Sequence, residues 1–122
     1  EEFLNQVANY QDIYFSTHFT AEEPVTEVST VFLDAFAKKY PDKEVNAFAA
    51  LGYDTYILAK DAIERANSAE PQAIRDALAE TSGFKGATGI ITLDENGDAT
   101  KTAVIKKVEG GKFVYEAKVD PK

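Results

Sequence analysis

Residues 48–114 read FAALGYDTYILAKDAIERANSAEPQAIRDALAETSGFKGATGIITLDENGDATKTAVIKKVEGGKFV, and a change of period inside this stretch decides the class of fold. In its first part, at about 100° per residue, Phe48, Leu51, Thr55, Tyr56, Leu58, Ala59, Ala62, Ile63 and Ala66 share one broad arc. Asp54, Lys60, Asp61, Glu64 and Arg65 lie opposite. With Asn46 as cap, this is the longest helix, and the arc is expected to be its buried face. Gly52 costs that helix about 1 kcal/mol relative to alanine, so a close backbone or a bend is expected there. Pro71 opens a third helix, carried by Ile74, Ala77, Leu78 and Thr81 until Ser82-Gly83 ends it. Beyond Gly89 the period becomes two. Ile91 and Leu93 alternate, Asn96-Gly97 makes a tight turn, residues 102–108 form a second strand, and Gly110-Gly111 precedes Phe113, Tyr115, Ala117 and Val119 on a third. The expectation is a terminal three-stranded antiparallel meander.

Upstream, residues 12–19 (DIYFSTHF) favour a strand, and residues 2–7 suit a short helix. Val28, Val31, Phe32, Ala35, Phe36 and Tyr40 then recur at helical spacing over 26–40, stopped by Pro41. A strand, three main helices and a meander make a mixed α/β or α+β arrangement. The amino-terminal strand reads as isolated, needing partners from outside the chain.

Composition narrows the function. The chain has 122 residues, enough for one domain or part of a larger one. Its 13 Lys+Arg against 21 Asp+Glu give a net charge of -8, a field that repels phosphate, so nucleic acid is an unsuitable partner. No run approaches the roughly 20 apolar residues that cross a bilayer. There is no cysteine, hence no disulfide framework, thiol nucleophile or Cys-based zinc site. The opening Glu1-Glu2-Phe3-Leu4 lacks the basic start and apolar run of a leader, so the chain reads as a processed or excised piece.

Candidate chemical sites are sparse. His18 is the sole histidine, without companions for a metal or a catalytic group. Asp94, Asn96 and Asp98 alternate like the start of a calcium loop, but Ala99 and Ile105 stand where that loop needs Gly and Glu. Gly83, Gly86 and Gly89 follow a helix and precede a strand, the reverse of a dinucleotide-binding turn, and read as a connecting loop with unusual backbone angles. Ser16, Ser29, Ser68 and Ser82 lack a nucleophile setting, and the carboxylate pairs Glu22/Glu23 and Asp94/Glu95 suit solvated turns. No catalytic, metal or cofactor residue is assigned, and the chain does not read as an enzyme. Phe48, in the first turn of the long helix, suits either a core or the apolar wall of a ligand pocket.

The stretch from Phe48 onward resembles the carboxyl-terminal region of the branched-chain amino-acid binding proteins of ABC importers. A helix with a YDT step leads to an A-I-x-x-A segment, then I-R-D-A-L, a G-x-x-G loop, D-E-N-G-D after a strand, and a last hairpin with G-K-F. Upstream, IYFSTHF and FLDAFAKKY extend the likeness over nearly the whole chain. The resemblance implies an α/β, two-lobed periplasmic-binding-protein fold, of which residues 1–122 are the carboxyl-terminal portion and contribute to both lobes. It implies a non-enzymatic, extracytoplasmic receptor, periplasmic or extracellular and lipid-anchored or free, that closes on a branched-chain or similar amino acid and delivers it to an ABC permease. The ligand's amino and carboxyl groups are held in that family by residues upstream of this segment; here the resemblance carries over Phe48 as a ligand-binding residue. Alone, the chain is expected to bind weakly or not at all, and to be open to self-association. A freestanding interaction or structural domain is the alternative reading.

Overall fold

Asn46 does cap a long helix: its side-chain oxygen accepts from the Ala49 N–H at 3.0 Å, and the helix runs from Ala47 to Ala66 before Asn67 turns it off in a left-handed conformation. The computed structural model describes residues 2–7, 10 and 12–121. In chain order the elements are α1 (Glu2–Val7), β1 (Tyr14–Thr17), α2 (Glu27–Lys39), α3 (Ala47–Ala66), α4 (Pro71–Ala79), β2 (Phe84–Gly86), β3 (Gly89–Leu93), β4 (Ala99–Thr100), β5 (Ala103–Glu109) and β6 (Lys112–Val119). All three long helices lie close to their expected positions. Thr26 and Ser29 cap α2 reciprocally, and Pro71 sits in the first turn of α4.

The expected strands form, two short ones that were not expected (β2, in what read as a connecting loop, and β4) join them, and the pairing corrects the expected meander. They divide into two antiparallel sheets, one in the order β1-β5-β6 and one in the order β2-β3-β4. β3 turns back at Asn96-Gly97 onto the two-residue β4 rather than joining β5, and pairs on its other side with the segment 84–86. β5 instead takes β1, with Tyr14 opposite Lys107 and Thr17 opposite Val104. The amino-terminal strand therefore finds its partner inside the chain, contrary to the expectation that one must come from elsewhere. The β5–β6 hairpin turns through Gly110 and Gly111, both with φ near +60°, a two-residue turn that suits the twist of its strands (φ 57 and 72).

These elements make two bodies. In the first, α1 lies on the β1-β5-β6 sheet, where the Phe113 ring meets Phe3 and Phe15 with centroids 6.3 and 4.9 Å apart. The second holds α2, α3, α4 and the small sheet around a core of Phe19, Phe32, Ala50 and Ala87, flanked by Val28, Leu33, Phe36 and Tyr53. Extensive packing between elements falls inside one body or the other. The chain passes between them twice, through residues 18–26 and through Lys101-Thr102.

The buried face of α3 also departs from the expected arc. Ala62, which lies on that arc, is buried as expected, but the other buried residues, Ala50 and Asp54, lie off it, while Phe48, Tyr56 and Ile63 of the arc are exposed. Alanines let neighbouring elements come close, and Asp54 is tolerated inside because each carboxylate oxygen is hydrogen-bonded. Gly52 stands on an open part of the helix, where an added Cβ would meet nothing within 4 Å, so the close approach expected there is not found among the described residues. Arg65 ties α3 to the end of α4, donating to the Ala77 carbonyl at 2.6 Å and to Thr81 Oγ1 at 3.1 Å.

Candidate functional site

Between the two bodies lies an open cleft of about 740 Å³. One wall comes from the first body, with Phe15, Thr17, Lys106 and Phe113; the other comes from residues 44–47 at the head of α3. The first link, residues 19–22, floors it. Its lining thus mixes aromatic rings with ammonium and carboxylate groups in one concave surface.

Local structure fixes each wall. Lys106 and Tyr115 face each other where β6 carries one extra residue, Glu116, so that Ile105 pairs with Ala117 but Lys106 pairs with Tyr115. The Glu22 carboxylate occupies this irregular spot, accepting from the Tyr115 N–H at 2.7 Å and from Lys106 Nζ at 3.3 Å. The first link is thereby fastened to the sheet. Its other end is fastened to the helical body: Phe19 is buried in that core, Thr26 Oγ1 donates to the Gly86 carbonyl at 2.7 Å, and Ser29 Oγ donates to the Ala87 carbonyl at 2.7 Å.

Phe48, the one residue carried over as ligand-binding, stands next to the cleft-lining Asn46 and Ala47 in the first turn of α3 and is 84% exposed. It is no part of the core in this chain. The ring does not itself line the cleft as the chain stands. His18 is exposed in the first link. Asp94 serves its own turn, its Oδ1 accepting from the N–H groups of Asn96 and Asp98 at 2.9 Å each. Of the three glycines, Gly83 and Gly89 have positive φ, as a strained loop requires, but β2 occupies 84–86 between them.

The residues missed at the sequence level form one joint. Asp54, 4% exposed, accepts from the N–H groups of Ala87 (2.5 Å) and Thr88 (2.9 Å) and from the Thr88 hydroxyl (2.6 Å), and Lys101 Nζ donates to that hydroxyl at 2.6 Å. Burial holds the Lys101 ammonium below the usual lysine value of 10.5, and the Asp54 charge acts in the opposite direction. Gly86 is a glycine for this reason: a Cβ there would lie 2.7 Å from the Asp54 carboxylate. One signal was available. Asp54 is the only charged residue between Glu44 and Lys60.

The profile of the periplasmic binding proteins matches residues 4–112. The chain belongs to this family. Among solved structures, this periplasmic binding protein chain is 40% identical to the leucine binding protein LivK of Thermotoga maritima, with a TM-score of 0.81 over 91% of the chain and 31% of LivK. It is 35% identical to LivJ of Streptococcus pneumoniae, a branched-chain amino acid transporter substrate binding protein solved with isoleucine, with a TM-score of 0.76 over 98% of the chain and 34% of LivJ. An ABC transporter substrate-binding protein of Desulfitobacterium hafniense in complex with Leu is 25% identical, with a TM-score of 0.79 over 95% of the chain and 34% of that protein. The chain spans about a third of the length of these relatives. Members of the family are substrate-binding proteins rather than enzymes, and the mixed fold with antiparallel sheets is that of matching portions of their type I fold. No helix among the described residues is long and apolar enough to cross a membrane.

Proposed function

We propose that this chain is the carboxyl-terminal third of an extracytoplasmic receptor that captures a branched-chain amino acid and hands it to an ABC permease, its two bodies belonging to different lobes. The observation that carries the reading is the cleft between two bodies connected through two links, with an exposed aromatic ring at its edge. Ligand favours closure only through contacts that the closed arrangement adds, so each lobe has to bring its share. Phe48 supplies van der Waals contact to an aliphatic side chain and excludes water, while the clamp for the amino and carboxyl groups comes from other parts of the receptor. The exposed Tyr56 and Ile63 on α3 and Val31 on α2 are surfaces that the remaining two thirds would cover.

Two measurements test this. By calorimetry with leucine, isoleucine and valine, the isolated chain is expected to bind weakly or not at all; micromolar or tighter affinity in a monodisperse sample would overturn the division of the site between this chain and the rest. In a full-length receptor carrying this chain, Phe48→Ala is expected to weaken leucine binding by about tenfold or more, the worth of burying one large apolar side chain. The melting temperature should stay unchanged, because the ring buries little within the chain. Unaltered affinity would remove Phe48 from the site.

A further inference from the structure

The second link is much the shorter. Only Lys101 and Thr102 separate β4 from β5, and their side chains reach in opposite directions. Thr102 Oγ1 donates to Asp120 Oδ1 at 2.5 Å, beyond the end of β6 in the first body. Lys101 Nζ donates to Thr88 Oγ1 at 2.6 Å in the second, and that hydroxyl donates onward to Asp54 on α3. Hinges absorb domain motion in a few residues at the ends of elements, so a link this short has few dihedral angles to share the change. Tethering the side chain of one of its two residues to the helical body restrains how that residue can contribute.

We propose that Lys101 is a positioning residue for closure, hooking the second link to α3 through Thr88 and Asp54 so that the hook sets how far and how often the bodies swing apart. The first link cannot substitute for it. That link is fastened to both bodies but spans residues 18–26, long enough to flex between Glu22 and Thr26. Lys101 touches no ligand-facing surface of the cleft and acts on it only by orienting the walls. The inference rests on reading the cleft as a site that closes, yet it is tested without any ligand.

The chain has no cysteine, so a pair can be introduced at the exposed Arg75 on α4 and Lys118 on β6, and nitroxide labels there report the distance between the bodies by pulsed electron paramagnetic resonance. In Lys101→Met the population outside the native distance peak should rise by about tenfold, the factor carried by one charge-assisted hydrogen bond. Lys101→Arg, which keeps the charge and the donors, should restore most of the native peak. Amide exchange in α3 and β2 should be unchanged in both, since Asp54 keeps its three donors. A native distribution in Lys101→Met, equal broadening in Met and Arg, or faster exchange throughout the helical body would each overturn the proposal. Should Lys101→Met not fold, Lys101→Leu, which likewise has no donor, carries the same comparison, and a native peak in that variant is equally decisive against it. Failure of a full-length receptor to bind amino acids would leave the distance result standing and would count only against the proposed function.

Discussion

Asp54→Ala is expected to destabilise the chain by about 3 to 5 kcal/mol, the range for removing one member of a buried charged network. The carboxylate is inside the protein, and three donors aim at it from Ala87 and Thr88. Alanine leaves two buried N–H groups without acceptors, each costing about 1 to 3 kcal/mol, while the hydroxyl of Thr88 must find another partner. Against a total stability of about 5 to 15 kcal/mol for a domain, such a loss moves a urea midpoint far enough to measure easily. A change below about 1 kcal/mol would mean that the N–H groups reach water or new acceptors, and that Asp54 is no keystone. Gly86 offers an internal check. Gly86→Ala drives a Cβ into the Asp54 carboxylate and should cost about 1 to 3 kcal/mol by overpacking. In the Asp54→Ala background the obstacle is gone, so the same substitution should cost much less, and the double-mutant cycle should show coupling.

That joint also marks where the sequence ceases to be legible. Helix positions were readable because local signals agree with one another: Asn46 and Thr26 at the starts, Pro71 in a first turn, and apolar residues at helical spacing. The helical period placed Phe48, Tyr56 and Ile63 together, and that grouping is correct. It could not say which of two faces the chain would bury. Long apolar side chains outweigh Ala50 in any hydropathy reading, yet close approach of backbones selects small residues, and a carboxylate enters the same interface once donors are waiting for it. Strand positions were legible from alternation, but partners were not, because strand pairing is decided between segments far apart in the chain. β1 and β5 are separated by the three long helices and by the whole of the small sheet. For the candidate site, Phe48 could be singled out by resemblance to a family, whereas Glu22 and Lys101 carry no motif. Each gains its role from a backbone irregularity or a hydroxyl brought to it by the fold.

Phe32→Ala should cost about 3 to 5 kcal/mol, as for large aromatic side chains emptied from a core. Phe32 is 6% exposed, and its ring contacts Phe19 at 5.9 Å edge-on, Phe36 at 5.9 Å and Tyr53 at 5.1 Å. These partners come from the first link, α2 itself and α3, so one side chain joins three segments. Phe32→Leu keeps much of the volume but none of the edge-to-face geometry, and should cost less, with about 0.5 to 1.5 kcal/mol traceable to each aromatic pair beyond area burial. Chemical denaturation of the three proteins decides the matter: a loss below about 2 kcal/mol for alanine would show that the core collapses around the vacancy. The consequence reaches past stability. Phe19 is the buried anchor of the link that floors the cleft, and with its ring partner removed, amide exchange at residues 19–22 should rise more than exchange in α4. Equal protection loss everywhere would mean that Phe32 supports the helical body alone, and that Glu22 by itself suffices to hold the link in place.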